Sequence, residues 1–467
     1  MAPIVEGNQT VVCIQGLGFV GAAMALAVAN ARKRDGQPVF DVIGVDLPTE
    51  LGRTRIDALN GGHFPFHATD PALEEAASLA AKTGNLRATD DVASFAEADI
   101  IVIDVHLDIS TGENELASAN LEPFRGAIRT VGAHMRPGAL MIIETTVPPG
   151  TTEKIVAPIL AEACRKRRLS EDAFLLAHSY ERVMPGDAYL DSICNFWRVY
   201  SGHTEAAADL CEEFLGQVVN VADYPLRRLR STTASEIAKV LENSYRATNI
   251  AFIEEWGRFA EAVGVDLFEV IDAIRMRPTH SNIRQPGFGV GGYCLTKDPL
   301  FAGLAAREIF DRPDLSFPFS EMAVRTNQRM PLAAIARLTD LLEGDLTGKR
   351  ILLLGIAYRQ GVGDTRYSPS HTFLEEARAR GAHVIARDPM VSYWNEAAME
   401  IPPGLPPANE VDAVVFAVAH REYLALDYID WLDGATPVVL DANAVLNDCQ
   451  RKAFVAAGCK LSSIGQG

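Results

Sequence analysis

The sequence predicts an α/β fold in which two doubly wound parallel-sheet domains are joined by a central helical domain with one long helix. Three observations carry this. Short apolar runs rich in β-branched residues alternate with helical stretches in the first half of the chain, and the alternation resumes near residue 349. Between the two lies a helical pattern from Thr232 to Val263 that contains no proline, and no glycine before Gly257. The 467 residues, 48% hydrophobic and 22% charged, have the composition of an ordinary globular protein. That length has room for roughly three domains of about 150 residues.

A formal net charge of −18, from 61 acidic and 43 basic residues, argues against nucleic acid or an anionic membrane as partner. The seven cysteines form no C-x-x-C and no Cys/His cluster of zinc-like spacing. They predict reduced thiols in a cytoplasmic protein without a metal site. The start lacks a charged stretch followed by an apolar one, and no apolar run approaches the roughly 18 to 20 residues of a membrane span.

In chain order, a β-branched run enters G-L-G-F-V-G (Gly16, Gly18, Phe19, Val20, Gly21), an Ala-rich helix follows, and the next apolar run ends in Asp46. Strand, glycine turn, helix, and an acid after the next strand make up a dinucleotide-binding pattern. The glycines let a pyrophosphate approach the helix N-terminus, and Asp46 faces an adenosine ribose, which favours NAD over NADP. His63 and His67 are separated by Pro65, which breaks the helix that would align them, so they read as solvated or structural. Residues 71–82 predict a helix, and 98–105 and 139–144 predict buried strands. The second of these strands runs into T-T-V-P-P-G-T-T, where the hydroxyls either hold a ligand or a water, or Thr151 and Thr152 cap the next helix. Glu181 and Arg182 read locally more as a surface pair beside a Pro-Gly turn than as a catalytic carboxylate with a phosphate or sugar contact.

On the long helix, Ile237, Val240, Leu241, Tyr245, Ile250 and Ile253 suggest an apolar stripe, while Lys239, Asn243 and Arg246 share another face. That second face lines a cleft or is a solvated stripe; Asn, an indifferent helix former, favours the cleft. Next comes P-G-F-G-V-G-G-Y-C-L-T-K-D-P, residues 286–299, with four glycines ahead of Cys294, Lys297 and Asp298. A thiol three residues from an ammonium and four from a carboxylate is either a nucleophile with local acid/base help or an inert cysteine beside a surface ion pair. Helix continues to about residue 343, then a second α/β pattern begins at G-K-R-I-L-L-L-G-I-A-Y-R, with later strands expected at 382–389, 411–420 and 436–443 and without a full glycine fingerprint. The loop 361–370 carries Arg366, a candidate phosphate contact.

Taken together, G-L-G-F-V-G with Asp46, E-T-T-V-P-P-G-T-T, E-R-V-M-P-G, A-K-V-L-E-N, the glycine-rich thiol loop, L-G-I-A-Y-R and D-T-R-Y-S-P resemble the UDP-glucose/GDP-mannose dehydrogenase family along nearly the whole chain. The E-R-V-x-P-G form is similar to the branch acting on UDP-N-acetylhexosamines. The resemblance implies Rossmann-like end domains: NAD binding in residues 1–215, a central helical, dimerising and catalytic part in 216–325, and nucleotide-sugar binding in 326–467. It implies a four-electron oxidation of a sugar C6 alcohol to the uronic acid with NAD, through a thiohemiacetal and a thioester on Cys294. By the same resemblance, Lys239 and Asn243 stabilise oxyanions, and Asp298 with a water on Thr146 manages protons. Glu181 assists the hydrolytic water, and Lys297 and Arg366 reach the cofactor. Arg182, Arg277, His280, Phe288, Gly289, Gly291 and Arg359 join Glu181, Lys239 and Asn243 in facing the sugar nucleotide, and a homodimer or larger homo-oligomer is implied.

The chain departs from the family pattern at His106–Asp108, Tyr180, Tyr293, Thr296 and Arg359, and at His280, where relatives carry an inter-subunit Arg that either Arg277 or His280 would replace. The alternatives are a UDP-glucose or GDP-mannose 6-dehydrogenase, a two-electron dehydrogenase of a related sugar, or a silent nucleotide-sugar or NAD sensor. Retention of Cys294 and Lys239 argues against the last.

Overall fold

The computed structural model describes residues 9–110, 117–183 and 186–467. The chain divides into two compact units, Met1–Leu241 with Phe301–Ser316, and Glu242–Leu300 with Phe317–Gly467.

The first unit is built on an eight-stranded sheet. Its strands are β1 (Thr10–Gln15), β2 (Phe40–Val45), β3 (Leu86–Thr89), β4 (Ile100–Ile103), β7 (Leu140–Ile143), β8 (Leu175–Tyr180), β9 (Val199–Gly202) and β10 (Arg227–Arg228). A separate ribbon pairs β5 (Ile109–Ser110) with β6 (Ser118–Ala119). The sheet order is β10-β9-β8-β7-β4-β1-β2-β3, parallel except between β8 and β9. The runs I-I-V-I of β4 and L-M-I-I of β7 are buried at every position, as strands covered by helices on both faces must be. One face packs around Met24, Leu26, Tyr189 and Phe214, the other around Phe95, Phe124 and Ile128. The helix expected at 71–82 spans Pro71–Thr83, with Asp70 capping the Ala72 N–H, proline in its first turn and Gly84 left-handed at its end.

The second unit carries a parallel sheet of β11 (Arg350–Leu354), β12 (His383–Arg387), β15 (Ala413–Phe416), β16 (Val438–Asp441) and β17 (Leu461–Ser463), in the order β12-β11-β15-β16-β17. A small antiparallel ribbon pairs β13 (Tyr393–Trp394) with β14 (Met399–Glu400). In each sheet the first strand is flanked by the second on one side and a later strand on the other, and the crevice at such a switch point is where these folds bind ligands.

The long helix spans Thr232–Val263, as expected, but its apolar residues do not form one stripe. Val240 and Ile253 are buried, whereas Ile237, Leu241 and Tyr245 are exposed, because a 3.6-residue period puts them on different faces. Thr151 and Thr152 do not cap the following helix: the Thr151 hydroxyl donates to the Pro148 carbonyl. The buried Glu236 carboxylate accepts the Gly150 and Thr152 N–H groups at 2.5 and 2.8 Å instead. Among the described residues no helix is long and apolar enough to cross a membrane.

Burial pushes the Glu236 carboxyl up to about 7 from 4.5 despite those hydrogen bonds. The folded chain therefore holds an extra proton there, so the group's contribution to stability is full below pH 4.5 and is lost as pH rises through about 7. Glu254 acts with the same sign. Urea midpoints between pH 5 and 8 are expected to fall less steeply in Glu236→Gln than in the wild type; equal slopes would contradict this assignment.

Candidate functional site

The glycine turn after β1 has the geometry a dinucleotide needs. Gly16 has φ +93°, and a Cβ there would lie 2.5 Å from the Asp104 carbonyl oxygen. A Cβ on Gly21 would lie 1.9 Å from the Gly16 carbonyl oxygen, so helix and turn can close only without side chains. Gly18 faces open space at the N-terminus of the helix Phe19–Ala29, which has no side-chain cap. Val20 is half-buried, and the Phe19 ring stacks against Phe64, Phe66 and Tyr189. Asp46 lies at the end of β2 as predicted, but Arg55 already pairs with it at 3.2 Å, and it accepts the Leu17 and Leu47 N–H groups. The turn and this acid fit NAD; His106 and Asp108, hydrogen-bonded at 2.7 Å, follow β4.

Further along the same edge, the Thr145 hydroxyl donates to the Ile103 and Val105 carbonyls, and Thr146 beside it is half-buried. Glu181 does not form the surface pair with Arg182 that its local sequence suggests. Its carboxylate lies 3.5 Å from the Lys239 ammonium, which also donates to the Glu181 carbonyl at 2.7 Å; Lys239 is buried and Glu181 is partly so. Arg182 donates to the Trp197 carbonyl and the Tyr180 hydroxyl. The buried Tyr180 ring carries both cations, Lys239 at 5.3 Å and Arg182 at 5.5 Å from its centroid. Met184 and Pro185 of the Pro-Gly turn lie outside the described residues. Beneath this pair His178, fully buried and lowered to about 3 by burial and then by Lys239, is neutral and bonded to Ser235 at 2.6 Å. The first turns of the long helix are thus tied to the sheet by Ser235, Glu236 and Lys239, which rules out a solvated stripe.

In the second unit, Asn243 is buried and donates to Asp298 at 2.8 Å, and Lys297 pairs with the other Asp298 oxygen at 3.0 Å. The ion pair after the thiol is therefore interior. Cys294 lies on the short helix Tyr293–Lys297 and is exposed. Thr296 closes back on the Gly292 carbonyl at 2.6 Å. Arg366 makes a fork with Asp364 and lies over the Tyr293 ring at 4.4 Å, while its carbonyl accepts the Gly292 N–H. Arg359 is exposed, whereas its neighbour Tyr358 packs on Gly292. Arg277 and His280 are exposed on a short turn beyond the helix Leu267–Arg275, His280 bonded to Thr279.

The sequence reading missed what holds the glycine-rich loop. The buried Asn327 side chain bonds both the N–H and the carbonyl of Val290, at 2.8 and 2.6 Å, as a strand partner would. Pro331, four residues on, has no N–H to give the Asn327 carbonyl, and Gly289 packs there, where a Cβ would come within 3.2 Å. Asn443 accepts the Phe288 N–H at 3.4 Å; Phe288 is buried against Phe373, and a Cβ on Gly291 would lie 2.5 Å from the Tyr367 carbonyl oxygen. The signal was present in Asn327 and Pro331, an indifferent helix former and a breaker inside one helix.

The UDP-glucose/GDP-mannose dehydrogenase family matches the chain in three parts: its NAD binding domain over residues 10–218, its central domain over 233–329 and its UDP binding domain over 352–448. The UDP-N-acetyl-D-mannosamine dehydrogenase of Pyrococcus horikoshii is 32% identical over 420 residues, 89% of this chain and 91% of that protein. The UDP-N-acetyl-D-glucosamine 6-dehydrogenase of Pseudomonas aeruginosa is 28% identical over 446 residues, 94% and 97% of the two chains. A solved UDP-D-ManNAc dehydrogenase from Pyrococcus horikoshii superposes with a TM-score of 0.82 at 30% identity, covering 98% of this chain and all of the other.

Asn327→Ala is expected to cost about 1–3 kcal/mol by leaving the Val290 groups unpaired. It is also expected to speed alkylation of Cys294 by iodoacetamide, read by mass spectrometry after digestion. Wild-type melting and wild-type labelling together would show that the clamp does not hold the loop.

Proposed function

Because the chain belongs to the UDP-glucose/GDP-mannose dehydrogenase family and is an NAD-dependent nucleotide-sugar dehydrogenase, we propose that it oxidises the C6 alcohol of a UDP-N-acetylhexosamine to the uronic acid. The observation that carries the four-electron reading is an exposed thiol, Cys294, on the short helix that follows the anchored glycine loop, just ahead of Lys297 and Asp298 in the sequence, which with Asn243 form a buried cluster. A simple alcohol dehydrogenase has no use for such a thiol. The hexosamine reading is supported by the relatives, which are named for UDP-N-acetyl-D-mannosamine and UDP-N-acetyl-D-glucosamine.

NAD supplies the hydride acceptor for both oxidations. In the first, the C6 hydride leaves and the hydroxyl proton passes to a base, the role assigned to Asp298. The Cys294 thiolate adds to the resulting aldehyde, giving a thiohemiacetal whose oxyanion Lys239 and Asn243 stabilise. Loss of the second hydride leaves a thioester, and a water assisted by Glu181 breaks the C–S bond to release acid and thiol. Cofactor binding falls to residues 1–215, with Gly16, Gly18, Gly21 and Asp46; catalysis and pairing fall to 216–325; the sugar nucleotide falls to 326–467 with Arg359, helped by Phe288, Gly289 and Gly291. The seven cysteines, none of them in a disulfide, support a reducing, cytoplasmic setting.

The reading includes a second copy of the chain. In the second unit the long helix leaves Tyr245, Phe252, Trp256, Phe259 and Val263 exposed, with Trp256 ring-packed against both phenylalanines. Large apolar side chains at this spacing form one stripe that a matching helix would cover. Trp256→Asp is expected to convert a dimer into a monomer by light scattering; an unchanged mass would move the interface elsewhere.

Two NADH per sugar are expected with a UDP-N-acetylhexosamine, and Cys294→Ala is expected to abolish acid formation while leaving NAD binding intact. One NADH per sugar, or acid formation by Cys294→Ala at the wild-type rate, would overturn the thioester route. Two NADH from UDP-glucose or GDP-mannose alone would keep the route and replace the sugar.

A further inference from the structure

Behind the glycine turn, at the carboxyl ends of β4, β7 and β8, the chain buries more acid than base. Glu144 follows β7 and is ion-paired with Arg198; both side chains are 2% exposed. Asp104 follows β4 as Glu144 follows β7, each one residue beyond the register pair Ile103 and Ile143, so the two acids stand side by side. Asp104 as a whole is half-buried, but its Oδ2 is closed off from solvent. Among the described residues, neither that oxygen nor Glu144 Oε2 has any conventional donor. Two ionised carboxylates contain no donor, so a hydrogen bond between them requires a proton.

The surrounding charges decide where the proton sits. Arg198, from the segment before β9, contributes one positive charge and is held by Glu144. Glu181, at the end of β8, adds a negative charge that Lys239 answers. The Cys211 thiol, on the helix Glu205–Val218, is pushed up by burial and is neutral. The glycine turn brings no titratable group, and Met24 faces Arg198 with its thioether. Of the two carboxyls it is Glu144 that the guanidinium pairs with, which leaves Asp104 as the acid. Burial, reinforced by Glu144, holds it well above the usual carboxylate range.

The position of Asp104 gives this a consequence. A Cβ on Gly16 would lie 2.5 Å from the Asp104 carbonyl oxygen, and one on Gly21 would lie 3.2 Å from Asp104 Cβ. The acid therefore stands directly behind the residues that must approach the cofactor's pyrophosphate. A charge there would repel that anion through a medium of low dielectric. We infer that Asp104 and Glu144 share one proton, with Asp104 as the uncharged partner, and that this neutrality makes Asp104 a positioning residue for NAD binding at the turn in front of it.

Asp104→Asn preserves the shape and still offers a hydrogen to Glu144, so it separates charge from packing. Infrared difference spectra at neutral pH are expected to show, above the contribution of Glu236 and Glu254, a carboxylic-acid C=O component in the wild type that is lost in Asp104→Asn. An identical band in both would overturn the shared proton. NAD affinity, by titration calorimetry, is expected to match the wild type at neutral pH in Asp104→Asn. In the wild type it should weaken by roughly tenfold as pH is raised to where the pair ionises, and in Asp104→Asn it should stay level. Parallel declines, or two level profiles over the range in which both proteins stay folded, would overturn the link to the cofactor. Glu144→Gln, which leaves Arg198 without a carboxylate, should lower Tm more than Asp104→Asn does. The reverse order would put the charge on Asp104.

Discussion

Lys239 is buried with its ammonium against the carboxylate and the carbonyl of Glu181 and over the Tyr180 ring. A charge in that position costs several kcal/mol unless it is met, and here it is met by a negative charge, a dipole and an aromatic face. Much of the first unit's carboxyl edge follows from that requirement. His178 must stay neutral beneath the ammonium, and Ser235 and Glu236 lock the helix at the register that delivers Lys239 to Glu181. The Thr145–Thr152 loop is fixed by the same helix turn, since Glu236 supplies the hydrogen bonds that a capping threonine would otherwise give. One helical turn thus positions a cation and the loop carrying Thr146.

The second unit meets a related demand with backbone rather than charge. A glycine-rich loop has little side-chain packing to hold it and loses much conformational freedom when ordered. It is fixed at intervals: Asn443 at Phe288, Asn327 at Val290, the Arg366 carbonyl and the Tyr358 ring at Gly292. Most of these anchors come from segments beyond the thiol. The order of the thiol-bearing loop therefore depends on the C-terminal sheet domain having folded, which is a physical reason for the thiol and the second α/β part to occur in one chain.

The fold was largely legible because its signals are local. Buried parallel strands read as continuous apolar runs, and the long helix has no breaker over most of its length, so the ends at Thr232 and Val263 were set by sequence alone. The glycine turn with Asp46 was legible for the same reason. What was not legible was pairing across distance. Glu181 beside Arg182 looks like a surface pair, because nothing nearby in sequence announces Lys239, 58 residues later. Asp104 and Glu144 each end an apolar strand, and only the order β7-β4-β1 brings them together behind Gly16. The apolar positions of the long helix failed as one stripe because both faces carry large apolar residues, one turned to the core and one outward.

The departures from the family pattern make physical sense where the structure describes them. Tyr180 sets an aromatic face against Lys239 and Arg182, and Tyr293 sets one against Arg366. In both cases an aromatic face is set against a cation that already has a carboxylate partner, Glu181 or Asp364. Such a ring adds attraction without adding charge, so the electrostatics of the acid/base groups are preserved while the shape around them changes. Changes of this kind leave a reaction in place and act on which substrate fits.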